Sequence, residues 1–147
     1  MSIKILRCIP IGAASSIILN RLILLSGLLE LFPYYSLVAV PKLFSYGPLV
    51  AFFLYCVLTP LWEEAFFRLI IYGQLKKRLP LWASAAVSSA LFALYHGNVP
   101  QAAYALPFGF IICHEYECFK SFLAPVLVHA SANGAVLLMY YLQHASS

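Results

Sequence analysis

Between Gly47 and Tyr72 the chain runs almost without polar residues, yet Glu63, Glu64 and Arg68 stand inside that run. Few folds accept this. An ionised side chain at the centre of a membrane helix costs about 3 kcal/mol, so residues of this kind face a protein interior and serve a site. The stretch Trp62-Glu63-Glu64-Ala65-Phe66-Phe67-Arg68 is therefore the point around which the other segments must be arranged.

Whether that run lies in a membrane or in a soluble core is decided by composition. The 147 residues are 63% hydrophobic and 10% charged, with a mean hydropathy of +0.89, whereas soluble domains carry roughly a quarter charged residues. An integral membrane protein is expected. There is room for about five spans of ~20 residues and none for an additional soluble domain. The predicted fold is an all-α, polytopic helical bundle in a lipid bilayer. The net charge of +4 comes from Lys and Arg at segment ends, as membrane orientation requires, so a nucleic-acid partner is not expected. Four cysteines, Cys8, Cys56, Cys113 and Cys118, show no CxxC spacing and read as buried thiols.

Residues 1–45 read as an N-terminal hydrophobic segment and connection, and residues 46–144 as the membrane core. Lys4 and Arg7 precede an apolar stretch from Cys8 that is interrupted at Asn20 and Arg21. No small-x-small site follows it, so it is expected to be retained. Arg21 marks a buried ion pair with a downstream Glu, a snorkelling side chain on a tilted helix, or a boundary between two short helices. Pro33, Pro41 and Pro48 make Leu31 to Tyr46 a connection carrying a short interfacial piece. Further spans are predicted from Gly47 to Tyr72, Leu81 to about Tyr95, Gln101 to Ile112 and Phe122 to Leu142, with a tight turn at Gly97-Asn98-Val99-Pro100. Lys4, Arg7, Lys76-Lys77-Arg78 and Lys120 then share one side, which the positive-inside rule makes cytoplasmic. The expectation is a multi-pass protein of a bacterial plasma membrane with its N-terminus in the cytoplasm. The stretch Cys113-His114-Glu115-Tyr116-Glu117-Cys118 superficially resembles a ligand cluster but falls in a predicted short loop, where a solvated polar turn is expected.

Spacing on the helices supplies the chemistry. Glu64 and Arg68 are one turn apart on the same face, which permits an intrahelical ion pair and leaves Glu63 as the odd carboxylate. Two adjacent carboxylates in a low dielectric cannot both ionise comfortably: an arginine favours the charged form of one, while burial and like charge favour the protonated form of the other. A structural Glu-Arg clasp fits these three residues equally well. Two other segments add polar groups: Phe92-Ala-Leu-Tyr-His96 ends a span in a histidine, and His129-Ala-Ser-Ala-Asn133 sets an imidazole and an amide on one face. A membrane penalises each of these groups if unpaired, so one shared central pocket is the cheapest arrangement.

Glu63-Glu64-x-x-x-Arg68, Phe92-x-x-x-His96 and His129-x-x-x-Asn133, in that order and on separate hydrophobic segments, resemble the CPBP family of intramembrane proteases. That group contains the CAAX prenyl endopeptidases and bacteriocin-processing or immunity proteins, also called the Abi family. The resemblance covers approximately Tyr46 to Leu142 and includes the approach Lys120-Ser-Phe-Leu-Ala-Pro-Val-Leu-Val-His129; Leu69 stands where the family often has glycine. It implies an intramembrane endopeptidase that acts on a membrane-associated peptide or protein, lipidated or bacteriocin-like. Glu63 would be the general base on a water held jointly with His96, and Glu64 would position that water or His96. Arg68 would fix the carboxylates, Phe92 would support the site, and His129 and Asn133 would donate to the oxyanion. A metalloprotease-like variant would use His96, His129 and Glu63 as zinc ligands. Neither histidine lies in an HExxH pair, so no metal and no other cofactor is expected. The alternative from another class is a non-proteolytic interaction protein on the same fold, serving bacteriocin immunity or as a regulatory scaffold.

Overall fold

A backbone inside hydrocarbon must satisfy its own hydrogen bonds, which long apolar runs do by forming helices. The computed structural model describes residues 3–144, and every regular element among them is helical. After a 3-10 turn at Ile3–Arg7, α1 spans Cys8–Leu25. It continues unbroken through Asn20, whose Nδ2 donates to Ser16 O at 2.9 Å, and through Arg21. No boundary therefore falls at Arg21, which is exposed and forms no ion pair among the described residues. A single turn at Leu28–Leu31 leads to α2, Tyr35–Phe44, longer than the short interfacial piece expected there.

Gly47, at φ 84°, turns the chain into α3, Pro48–Leu75. The charged stretch lies in this helix, which is wound as a π-helix over Phe53–Leu58 and again over Ala65–Tyr72, with an α-helical turn at Thr59–Glu64 between them. α4 spans Leu81–Tyr95. Gly97 follows at φ 67°, and Asn98 caps α5 by accepting from Gln101 N–H at 2.9 Å. α5 runs over Val99–Phe119, so the turn expected at residues 97–100 is only Gly97 and Asn98, and the loop expected at residues 113–118 is helix instead. Lys120 in the left-handed region ends α5, and α6 spans Leu123–His144.

Residues 4–25, 48–75 and 123–144 are long and apolar enough to cross a membrane, and α4 and α5 lie beside them as shorter or more polar members. The chain is a multi-pass helical membrane bundle. Its outer face carries Leu25, Leu49, Trp62, Trp82 and Leu94. Such a surface suits lipid rather than water. With no hydrophobic drive between helices in lipid, close packing depends on small residues. A Cβ on Gly12 would lie 2.0 Å from Val128 O, so α1 and α6 touch backbone to backbone, and one on Gly109 would lie 2.8 Å from Ser89 Cβ, joining α5 to α4. Phe67, Phe92, Phe108, Ile112 and Val128 fill the centre, while Phe44, Ala51, Cys56 and Leu137 form a second cluster that holds α2 on α3 and α6.

Arg7, Lys76 and Lys120 gather at one end. Lys76 Nζ lies 2.8 Å from Glu117 Oε1, Lys120 pairs with the same carboxylate, and the Arg7 guanidinium sits 4.6 Å above the Phe119 ring. Glu117 is thereby satisfied across helices, which is how a polar stretch stays helical at the end of α5.

Candidate active site

Pro60 bears on the geometry of the first π segment of α3, Phe53–Leu58. It has no N–H, so it cannot bond a carbonyl four or five residues back. Thr59 N–H already bonds Leu54 O in the π register, and Tyr55 O would await an N–H from position 60. Asn133 of α6 answers it: its Nδ2 donates to Tyr55 O at 2.7 Å. One amide hydrogen of Asn133 is thus committed to α3, and the other remains available.

One turn further along, Glu64 is fully buried and contacts two groups. Its Oε1 accepts from His129 Nδ1–H at 2.7 Å, and its Oε2 lies 3.0 Å from Arg68 Nε in a close ion contact that lacks hydrogen-bond alignment. Arg68, also fully buried, lays its guanidinium 4.6 Å above the Phe92 ring, and neither Nη finds a hydrogen-bond partner among the described residues. The adjacent Glu63 is arranged differently. Its Oε2 is 3.7 Å from His129 Nε2, beyond hydrogen-bond length, and has no other partner.

The aromatic setting is shared. Phe92 lies edge-on to His96 at 4.9 Å and to His129 at 5.8 Å, and Phe108 of α5 meets His129 from another side at 5.8 Å. His96 caps α4, with Nδ1–H donating to Phe92 O at 2.8 Å, which leaves Nε2 for another partner. Ser88 of α4 donates to Phe67 O at 3.0 Å and ties α4 to the second π segment.

A cavity of about 640 Å³ opens on this group, with Glu63, His96, His129, Asn133 and Phe92 in its wall. Glu64 and Arg68 do not line it. The remaining wall is mostly apolar or aromatic, from Ile17 and Leu24 of α1, Val40 of α2, Tyr104 of α5 and Val136 of α6, with Arg21 as its one charged member among the described residues. Five of the seven residues singled out in the sequence thus come together at the cavity from α3, α4 with its C-cap, and α6. Glu64, however, contacts His129 and Arg68, and no contact of Glu64 with His96 forms. Because His129 already donates from Nδ1, it can donate to an oxyanion only through Nε2 and only as the imidazolium. Three contributions escaped the sequence reading: Phe108 against His129, the walls supplied by α1 and α5, and the Tyr55 carbonyl. For the last a signal exists, since Pro60 five residues on removes its donor.

The ligand atoms of Glu63, His96 and His129 do not converge to within 4.8 Å as a set; among the described residues only His114, Glu115 and Cys118 do so.

The family model described as type II CAAX prenyl endopeptidase Rce1-like matches residues 45–135, well over half of the 147-residue chain. The putative membrane peptidase YdiL of Bacillus subtilis (strain 168) is 26% identical over 83 residues, covering 56% of this chain and 34% of that protein. The membrane-embedded CAAX protease MroQ of Staphylococcus aureus (strain USA300) is 29% identical over 101 residues, covering 65% of this chain and 40% of that protein. The chain therefore spans 34% to 40% of the length of these curated relatives. No solved structure matches it significantly.

Proposed function

The chain belongs to the type II CAAX prenyl endopeptidase Rce1-like family, and from that premise we propose that it is an intramembrane endopeptidase of CPBP type. The observation that carries the reading is the split between two neighbouring carboxylates: Glu63 lines the cavity and makes no hydrogen bond among the described residues, while Glu64 is locked behind it by His129 and Arg68.

In this reading a water in the cavity hydrogen-bonds the Glu63 carboxylate, whose Oε2 lies 3.7 Å from His129 Nε2. Glu63 takes its proton, and the hydroxide attacks the scissile carbonyl. The free amide hydrogen of Asn133 donates to the oxyanion, and His96 Nε2 orients the water or the substrate. When the tetrahedral intermediate collapses, the protonated Glu63 returns its proton to the leaving amine, so the base of the first step is the acid of the second. Arg68 and Glu64 act through His129, whose ring they hold in one tautomer and one orientation.

The scheme requires no metal, and the dispersion of the Glu63, His96 and His129 ligand atoms supports that choice. The mostly apolar wall suits extended apolar side chains or a lipid-modified segment. The bacterial relatives and the basic end of the bundle support a plasma-membrane setting with the N-terminus in the cytoplasm.

The test compares peptide termini across the membrane proteome of cells expressing the wild type or Glu63→Gln at matched levels of folded protein. New termini confined to the wild type are expected, and they identify the substrate and its cut site. Identical termini with a persisting cellular effect of Glu63→Gln would instead favour partner binding or immunity.

A further inference from the structure

A second cluster of reactive side chains lies away from the cavity, at the basic end of the bundle. Cys8, the first residue of α1, is fully buried, and its Sγ lies 3.8 Å from Glu115 Oε2 of α5. The other oxygen of Glu115 is 3.0 Å from His114 Nδ1, and Cys118 Sγ lies 3.6 Å from His114 Nε2. His114 and Cys118 are one helical turn apart and project from the same face. One ligand atom each from His114, Glu115 and Cys118 falls within 4.8 Å of the others.

Glu115 is only 4% exposed and forms no ion pair with Lys or Arg among the described residues; the nearby Lys76 and Lys120 both go to Glu117. A buried carboxylate costs several kcal/mol unless a positive group compensates it. Its neighbours here are two thiols and an imidazole, which are metal ligands rather than counter-ions. Bond lengths of about 2.0 to 2.3 Å to O, N and S put the ligand atoms of a tetrahedral zinc site about 3 to 4 Å apart. Taken on one atom per residue, His114 Nδ1 lies 3.0 Å from Glu115 Oε1 and 3.8 Å from Cys118 Sγ, within that range. One sulfur, one nitrogen and one oxygen favour a thiophilic ion over magnesium or calcium.

We propose that His114, Glu115 and Cys118 form a zinc site at the end of α5, with the Cys8 thiol of α1 against the second oxygen of Glu115. The ion would bond the Cys118 thiolate, His114 Nδ1 and Glu115 Oε1, displacing one thiol proton to solvent. By fixing Glu115 it would hold its Cys8 contact, and so the start of α1, which lies outside the family-matched residues 45–135, to the end of α5 within them. Since α1 contributes Ile17, Asn20 and Arg21 to the cavity wall, the clamp would hold that wall in place. No catalytic step passes through it, so the site stands or falls independently of the protease reading.

The experiment uses the full chain in detergent, reduced and stripped with chelator, then titrated with Zn²⁺ against a chromophoric competitor and separately with Co²⁺. One equivalent of zinc is expected, with tetrahedral d–d and thiolate charge-transfer bands from cobalt. Cys118→Ser and His114→Ala change exposed side chains, so helicity and elution volume should stay as in the wild type. Each should weaken zinc binding by at least about a hundredfold, the upper end of what losing a mere outer-shell partner costs. Zinc should also slow maleimide labelling of Cys118. Absence of stoichiometric zinc, or undiminished affinity in both variants, would overturn the proposal.

Discussion

Glu63 and Glu64 are neighbours in the chain and opposites in the structure. Glu64 has no exposure, a histidine on one oxygen and an arginine on the other, and no access to the cavity. Glu63 lines the cavity, and its Oε2 has no hydrogen-bond partner. The helical step of about 100° per residue turns the two side chains toward different surroundings. The difference shows how a membrane protein can keep a reactive carboxylate: one acid is paired with a histidine and an arginine, while its neighbour, approaching the same histidine, makes no hydrogen bond among the described residues.

Breaking the cavity-lining half should have the largest effect on function. Glu63→Gln keeps the shape and removes the base, so turnover of an identified substrate should fall by about 10² to 10⁴. Thermal unfolding in detergent should stay close to wild type. Breaking the sealed half should act on stability first. Arg68→Met leaves Glu64 buried without its cation, a loss of about 3 to 5 kcal/mol read from unfolding. Glu64→Gln combined with Arg68→Met should recover part of it.

Packing behind the sealed half comes next. Gly12→Ala drives a methyl against Val128 O one residue before His129, and should cost about 1 to 3 kcal/mol; Gly134→Ala, whose Cβ meets only Cys56 Sγ at 4.0 Å, should be close to neutral. A smaller effect is expected at the α3 bulge. Asn133→Ala strands Tyr55 O at a cost of about 1 kcal/mol or slightly more. Pro60→Ala, by restoring an N–H, should reduce that cost when the two are combined.

The smallest effect lies outside the apolar spans, on the last turn of α5. Burial pushes the Glu117 carboxyl up, but the Lys120 and Lys76 ammonium groups outweigh it and hold the group below the ordinary carboxylate value. Stability from these pairs is present above the unfolded-state value and is lost as pH falls through the lower folded one. Glu117→Gln should therefore cost under about 1 kcal/mol at neutral pH and nothing in acid, read from unfolding at the two pH values.

The contrast also marks what was legible in the sequence. The spans at Pro48–Leu75, Leu81–Tyr95 and Leu123–His144 stand out because apolar runs of that length have no other way to satisfy their backbone in lipid. The polar residues were legible as one group, since a membrane penalises each of them alone. Their division of labour was not. That Glu64 meets His129, 65 positions away, depends on the helical phase of two segments and on a π-wound stretch that ends just before Pro60. The end of α5 was misread as a loop because Glu115 and Glu117 look solvated until Lys76 and Cys8 are seen opposite them.

The most direct test of the account measures Glu63→Gln and Glu64→Gln side by side after reconstitution into vesicles with a substrate identified from the terminus comparison, following both cleavage and thermal unfolding. The account predicts that Glu63→Gln unfolds like the wild type and does not cleave, while Glu64→Gln unfolds at a lower temperature. Cleavage by Glu63→Gln within a few-fold of wild type would contradict it.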